Sequence, residues 1–201
     1  MADDVTPAQR RTTIGGIALS AIATAAIWYG LYRFLPAPGS AEALQTALAC
    51  GAVAALLTLM AGVEAVAHER LVTPAIDPLA GFETRRMRVN LRYLQNTLEQ
   101  FVIFAAGLMA LSAYATPRIL VIITIVWVLM RWAFWVGYHK SPLLRGWGAP
   151  GMVQSILVLL YVAYRFGADA YGALAGYALV GVFLALEALL FWAVNRPSEI
   201  Q

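Results

Sequence analysis

The sequence is poor in cysteine and in charge. Among its 201 residues Cys50 is the one cysteine, and only 12% of residues are charged. A single cysteine excludes an internal disulfide and a redox pair, so thiol chemistry would need a thiol carried by a substrate. The sequence also shows no metal-ligand cluster, no phosphate-binding glycine loop and no Ser-His-Asp set. We therefore expect no metal cofactor.

Hydrophobic residues make up 61% of the sequence, which excludes an ordinary soluble domain and is typical of helical membrane proteins. The net charge of +3 is small and scattered, so we expect no binding to nucleic acid. Most apolar runs approach the roughly 20 residues that cross about 30 Å of hydrocarbon. Six such runs lie at about 14–35, 43–67, 89–114, 118–139, 151–166 and 172–194.

The runs are joined by proline and glycine, and the first is preceded by a polar segment, residues 1–12. We expect this segment to be disordered at its start. The first apolar run is too long for a signal peptide and predicts an uncleaved membrane helix. The run at 151–166 is short for a membrane span. The sequence contains no internal repeat of the kind common in transporters.

The basic residues indicate an orientation. Three arginines, Arg33, Arg118 and Arg165, lie at one set of helix ends, whereas ten lysines and arginines lie at the other. The ten are Arg10, Arg11, Arg70, Arg85, Arg86, Arg88, Arg92, Lys140, Arg145 and Arg196. Because cytoplasmic segments carry the excess of positive charge, we predict that both termini are cytoplasmic.

A polar stripe begins the third apolar run. Arg92, Asn96 and Glu99 stand at i, i+4 and i+7, so they fall within roughly 60° of one another on a helix. Arg88 extends the stripe by one turn. Charged groups within a membrane helix usually face a bundle interior or a wet cavity. The stripe therefore predicts the wall of a polar pocket that opens towards the cytoplasm.

The end of the fourth run supplies the second half of this predicted pocket. Arg131 and Tyr138 are seven residues apart and share a helix face, with Phe134 between them. Pro142 is expected to end or kink the helix. Arg145 would then lie on or just past the helix end, free to reach across the pocket mouth.

These motifs resemble those of the MAPEG family, the membrane-associated proteins of eicosanoid and glutathione metabolism. The likeness rests on Arg92-xxx-Asn96-xx-Glu99, followed by Gly137-Tyr138 and, seven residues after the tyrosine, Arg145. It covers residues 43–166 as a four-helix core. One added helix then remains in each of the flanking parts, 1–42 and 167–201.

The resemblance implies an all-α integral membrane protein of about six transmembrane helices, a bacterial-type member of the family in the inner membrane. It further implies a homotrimer that binds glutathione between neighbouring subunits. The counterparts of Arg92, Asn96, Glu99 and Tyr138 hold the peptide in such a site, and that of Arg145 stabilises the thiolate. Arg88 and Arg70 are further candidates for glutathione binding. Phe134 departs from the pattern, because many glutathione-using members have a second tyrosine there.

The chemistry of these residue types suits glutathione. Guanidinium groups bind carboxylates bidentately, Glu99 suits an ammonium group, and the Asn96 amide both donates and accepts. A thiol with a pKa of ~8.5 is mostly protonated at neutral pH, and a nearby arginine would lower that pKa. The set fits thiolate attack on a hydrophobic electrophile in the membrane, or reduction or isomerisation of a lipid peroxide.

Other interpretations stay open. Arg92, Asn96 and Glu99 would equally serve as polar contacts between helices, and Arg145 as a membrane anchor. Glu64 is placed to pair with His68 or with Arg131, as a structural pair or as a relay. The main alternative function is that of a non-catalytic protein with this family's fold, which binds a lipid or a partner protein. The interpretation as a transporter or channel subunit has only three intramembrane charged residues as its support, Glu64, Arg131 and Glu187.

Overall fold

The computed structural model describes residues 6–39, 42–79 and 81–194, and within these ranges the chain is helical with no strand. Six helical segments are long and apolar enough to cross a membrane, which makes the chain an all-α integral membrane protein. Seven α-helices lie in the described ranges: α1 (Pro7–Phe34), α2 (Ala43–Ala55), α3 (Ala61–Leu71), α4 (Arg85–Leu111), α5 (Pro117–Lys140), α6 (Ala149–Tyr171) and α7 (Ala173–Val194).

Helix α1 begins at Pro7 rather than near residue 14. Residues 7–12 of the polar segment are therefore helical, and the disorder expected at its start falls on residues 1–5, which lie outside the described ranges. The reason is a capping box, in which the Thr6 hydroxyl accepts from the Gln9 backbone and the Gln9 side chain accepts from the Thr6 backbone. Proline at the first helical position adds to this start signal, because its missing N–H would have no partner there.

Helices α2 and α3 form one apolar segment interrupted by a π-helical turn at Leu56–Met60. Such a turn changes the backbone hydrogen-bond pattern and leaves its carbonyl groups open to further donors. Two aromatic side chains supply them: Trp132 Nε1 donates to the Leu57 carbonyl at 3.0 Å, and the Tyr93 hydroxyl donates to the Thr58 carbonyl at 3.2 Å. The turn thereby ties this segment to both α4 and α5.

The connection between α5 and α6 is a 3₁₀ segment, Pro142–Gly148, which we call the Arg145 segment. The Ser141 hydroxyl accepts from the Leu143 backbone at 3.3 Å and starts it, so α5 ends before Pro142 as predicted. Helix α6 then runs for 23 residues, which spans roughly 35 Å at 1.5 Å per residue. The short run predicted at 151–166 is therefore part of a helix long enough to cross the membrane.

The chain forms two compact units, Met1–Ile156 and Leu157–Gln201. In the first, the core lies between α4 and α5, where the Phe104 and Trp127 rings stack at 4.4 Å and both side chains are buried. In the second, the end of α6 packs on α7, with the Tyr164 and Tyr177 rings 5.0 Å apart. The division at residues 42 and 166 stays a prediction.

Candidate functional site

A cavity of about 420 Å³ lies between α4, α5, the Arg145 segment and the start of α6. Its wall carries both predicted halves of the pocket within one protomer. The polar and charged side chains on the wall are Arg92, Gln95, Asn96, Glu99, Gln100, Arg131, Tyr138 and Arg145. The stripe of α4 and the end of α5 therefore converge on one space.

The α4 side of the cavity follows from one helix face. Thr84 caps the helix by accepting from the Met87 backbone at 3.0 Å, and the polar stripe then faces the cavity. Along its exposed edge, Arg92 Nη1 lies 3.4 Å from Gln95 Oε1, and Gln95 Nε2 lies 3.3 Å from Glu99 Oε1. Gln95 was missed in the sequence. Its position three residues after Arg92 and four before Glu99 was the signal that would have found it.

The deepest charged group of the cavity is Arg131, whose side chain is 1% exposed. Its guanidinium donates to Gln100 Oε1 at 2.7 Å and to Asn96 Oδ1 at 2.9 Å. It also donates to Thr97 Oγ1 at 3.0 Å and lies 4.5 Å from the centre of the Phe134 ring. Within the described ranges it has no carboxylate partner, and its Nε has no hydrogen-bond partner.

Glu64, one of the partners considered for Arg131, instead lies 3.8 Å from His68 Nε2 on α3. Both side chains are exposed on the protomer, and neither lines the cavity. The structure thus brings Arg131 into the cavity and leaves this acid–histidine pair outside it. A structural or relay role for the pair stays a prediction.

The α5 side of the cavity carries Phe134 and Tyr138, one turn apart, and the Arg145 segment closes beside them. This closure depends on Gly137, because a Cβ at that position would overlap the Leu144 carbonyl. Arg145 is exposed and stands at the cavity mouth. A buried guanidinium at the floor and an exposed one at the mouth therefore bracket the space.

Two predicted site residues do not line the cavity of this protomer. Arg88 is exposed near the start of α4, and Arg70 is half-buried near the end of α3. Their assignment to glutathione binding stays a prediction.

A buried carboxylate that sequence reasoning missed joins α3 to α4, outside the residues that line the cavity. Glu69 is 3% exposed, and its Oε2 pairs with Arg86 Nε at 3.1 Å. Thr84 donates to its other oxygen, and Asn90 Nδ2 donates to Oε2 at 3.2 Å. These contacts join α3 to α4 at the end where the cavity opens. Glu69 gave no sequence signal, because it stands among other charged residues at a helix end.

The same network continues into α5 through Asn90. Its Oδ1 lies 2.9 Å from both Trp135 Nε1 and His139 Nε2. Trp135 and Trp132 lie near the end of α5, a position typical of an interfacial aromatic belt, and both also donate hydrogen bonds between helices. The network thus sets the relative positions of the two helices that form the cavity walls.

Fold and site together define an integral membrane helical protein with a cation-rich cavity near one end of its bundle. The chain belongs to the MAPEG family, whose model matches residues 46–168, more than half of the chain. The match confirms the family predicted from the motifs and places the chain with membrane proteins of glutathione and eicosanoid metabolism. No curated protein and no solved structure shows a significant match.

Proposed function

We propose that the cavity binds glutathione and that the protein is a glutathione-dependent transferase or peroxidase acting on hydrophobic or lipid electrophiles. One observation carries this proposal. The α4 stripe and the pair Tyr138 and Arg145, predicted from separate parts of the sequence, line a single cavity with Arg131 at its floor.

The charges of the cavity complement those of glutathione. Three guanidinium groups, from Arg92, Arg131 and Arg145, and one carboxylate, from Glu99, line the space. Glutathione carries two carboxylates and one ammonium group, and its thiolate adds a further negative charge. A buried cation without a counter-ion is costly, so an anionic ligand that reaches Arg131 would be strongly favoured. Glu99 at the exposed edge is the acid available for the ammonium group.

Arg145 is the residue we assign to the sulfur. A cation beside a thiol lowers its pKa, and each unit of that change is worth ~1.36 kcal/mol. In transfer, a lone pair of the thiolate forms a carbon–sulfur bond while the leaving group departs with its bonding electrons. In peroxide reduction, two glutathione molecules become a disulfide while the hydroperoxide becomes an alcohol and water.

We further propose a homotrimer in the bacterial inner membrane, with both termini cytoplasmic and with the cavity completed by a neighbouring subunit. Its support is the open edge of the site, where Arg92, Gln95 and Glu99 are exposed in one protomer. Charged groups at the edge of a membrane helix usually face protein or water rather than lipid.

The alternative is a protein of the same family that binds a lipid or a partner without catalysis. Phe134 favours it, because this ring lines the cavity and covers Arg131 where a tyrosine would offer a hydroxyl. Binding of glutathione without turnover would support this alternative.

Calorimetry of the purified protein with glutathione tests the proposal. We expect wild type to bind, and Arg92→Ala or Glu99→Ala to weaken binding by about 1 kcal/mol or more. Arg33→Ala, an arginine near the far end of α1, is the matched control and should bind like wild type. Arg145→Ala should lose most glutathione-dependent turnover of 1-chloro-2,4-dinitrobenzene or a lipid hydroperoxide. The absence of both binding heat and thermal stabilisation at millimolar glutathione would refute the proposal.

A further inference from the structure

Helix α1 lies outside the residues that the family model matches, yet it packs directly on the Arg145 segment. The Ser20 hydroxyl donates to the Trp147 carbonyl. One turn earlier, a Cβ on Gly16 would lie 3.1 Å from Trp147 Nε1, so the indole rests on the helix surface where a side chain is missing. Ile17 packs against Gly146, where a Cβ would lie 2.8 Å from Ile17 Cγ1.

Further polar contacts fix α1 along the bundle. Thr24 is buried, and its hydroxyl lies 2.7 Å from the Ser20 carbonyl and 3.0 Å from Sδ of Met130, the residue directly before Arg131 in sequence. Trp28 Nε1 donates to Gln154 Oε1 at 3.0 Å, and Gln154 Nε2 donates to the Ile123 carbonyl at 2.9 Å. A helix held by packing alone would need none of these bonds. Because these bonds are spaced along one face, they fix both the rotation of α1 about its axis and its position along α5.

Arg145 itself makes no hydrogen bond or ion pair within the described ranges, and its side chain is exposed. The place of its charge is therefore set by the backbone that carries it. On the following side that backbone consists of Gly146 and Trp147, and α1 contacts both residues. Lys140 Nζ also lies over the Trp147 ring, 5.8 Å from its centre.

We propose that α1 positions Arg145 for the thiolate, with Gly16 and Ser20 as positioning residues that act through Trp147. This inference rests on the proposed function and adds a role for the helix outside the family-matched region. It requires that a small change on α1 alter the reactivity of bound glutathione while the groups that hold the peptide, Arg92 and Glu99, stay in place.

Gly16→Val and Gly15→Val form the test pair. They make the same change at adjacent positions of α1, but a Cβ on Gly15 meets nothing within 4 Å. Misplacing a reacting group by about 1 Å can cost as much as roughly a hundredfold in rate, so we expect Gly16→Val to lower turnover about tenfold or more. The pH at which bound glutathione shows thiolate absorbance should rise, with little change in glutathione affinity. Gly15→Val should match wild type in all three measurements.

Ser20→Ala and Ser20→Thr supply a second pair if Gly16→Val does not fold. Alanine removes the donor to the Trp147 carbonyl and should reproduce the defect, whereas threonine keeps a hydroxyl and should restore wild-type behaviour. Hydrogen exchange of residues 142–148 without glutathione should rise in Gly16→Val and Ser20→Ala only.

The outcomes separate the two proposals. If wild type binds glutathione and Arg145→Ala abolishes turnover, but Gly16→Val behaves like Gly15→Val, the positioning role is wrong and the proposed function stands. If hydrogen exchange of residues 142–148 is faster in Gly16→Val but the pH at which bound glutathione forms the thiolate is unchanged, the positioning role is also wrong. If wild type does not bind glutathione, the proposed function is wrong and the positioning role falls with it, even where exchange shows that α1 holds the segment.

Discussion

Arg131 has only neutral hydrogen-bond partners. Asn96, Thr97 and Gln100 satisfy three of its N–H directions, while its charge has no carboxylate partner in the described ranges. Neutral acceptors compensate a buried charge only in part, and the desolvation cost stays with the ligand-free protein. At the scale of the residue, Arg131 thus carries a desolvation cost that the proposed anionic ligand would partly offset.

Replacing Arg131 by methionine should therefore separate stability from binding. The variant loses three hydrogen bonds but also an unpaired buried charge, and Gln100 Nε2 already lies 3.4 Å from Asn96 Oδ1. We expect the unfolding midpoint without glutathione to stay within about 4 °C, the change that roughly 1 kcal/mol produces in a chain of this size. The rise in midpoint caused by glutathione should disappear. Thermal unfolding in detergent, with and without glutathione, measures both.

Arg118→Met is the matched control, because Arg118 is half-buried and donates to the Tyr32 carbonyl away from the cavity. It should keep the full glutathione effect. An Arg131→Met protein that glutathione stabilises as strongly as wild type would show that the ligand does not reach this cation.

Close packing between helices depends on where small residues stand. Without a hydrophobic drive between helices in lipid, association relies on close contact and on hydrogen bonds. Gly62 of α3 allows such a contact with α4: a Cβ there would lie 3.0 Å from the Tyr93 ring and 3.3 Å from Leu94. Tyr93 is fully buried and also holds the π-helical turn through its hydroxyl. At the scale of the element, this contact fixes α3 against the wall of the cavity.

Gly62→Val should destabilise the protein by about 1–3 kcal/mol, the usual cost of forcing extra atoms into a packed contact. Gly51→Val makes the same substitution on α2, where a Cβ meets nothing within 4 Å, and should have little effect. Reversible unfolding in mixed detergent micelles measures the difference. Equal free energies of unfolding for the two variants would mean that α3 and α4 can move apart at Gly62 without loss of stability, and the prediction would be wrong.

The distribution of charge concerns the whole molecule. The cavity opens at the helix ends that carry Arg92 and Arg145, where most basic residues lie, and the opposite ends carry few. Since cytoplasmic segments retain positive charge, the mouth of the cavity should face the cytoplasm, where glutathione is made available.

Single cysteines in a Cys50→Ala background test this orientation. In intact bacterial cells an impermeant maleimide should label cysteines placed at Gly39 and Ala113, and should label those at Glu83 and Ser141 only after the membrane is opened. All four positions lie outside the α-helices; Gly39, Glu83 and Ala113 are exposed and Ser141 is half-buried. The reverse pattern would place the cavity mouth outside the cell and remove the cytoplasmic source of glutathione.

The sequence by itself determined the membrane class, the number of long apolar helices and the polar stripe of the cavity. These follow from composition and from the 3.6-residue helical period, which places Arg92, Asn96 and Glu99 on one face wherever the helix packs. The motif of α4, Tyr138 near the end of α5 and Arg145 after that helix also identified the family.

Tertiary structure alone decided which groups meet. Nothing in the sequence showed that Arg131 would lie beside Asn96 and Gln100, or that Glu69 would be buried against Arg86 and Asn90. The physical reason is that membrane helices are apolar on the lipid side and the protein side alike, so the pattern does not fix their rotation. Rotation is set by small residues and by hydrogen bonds between helices far apart in sequence, as at the contact of α1 with Trp147.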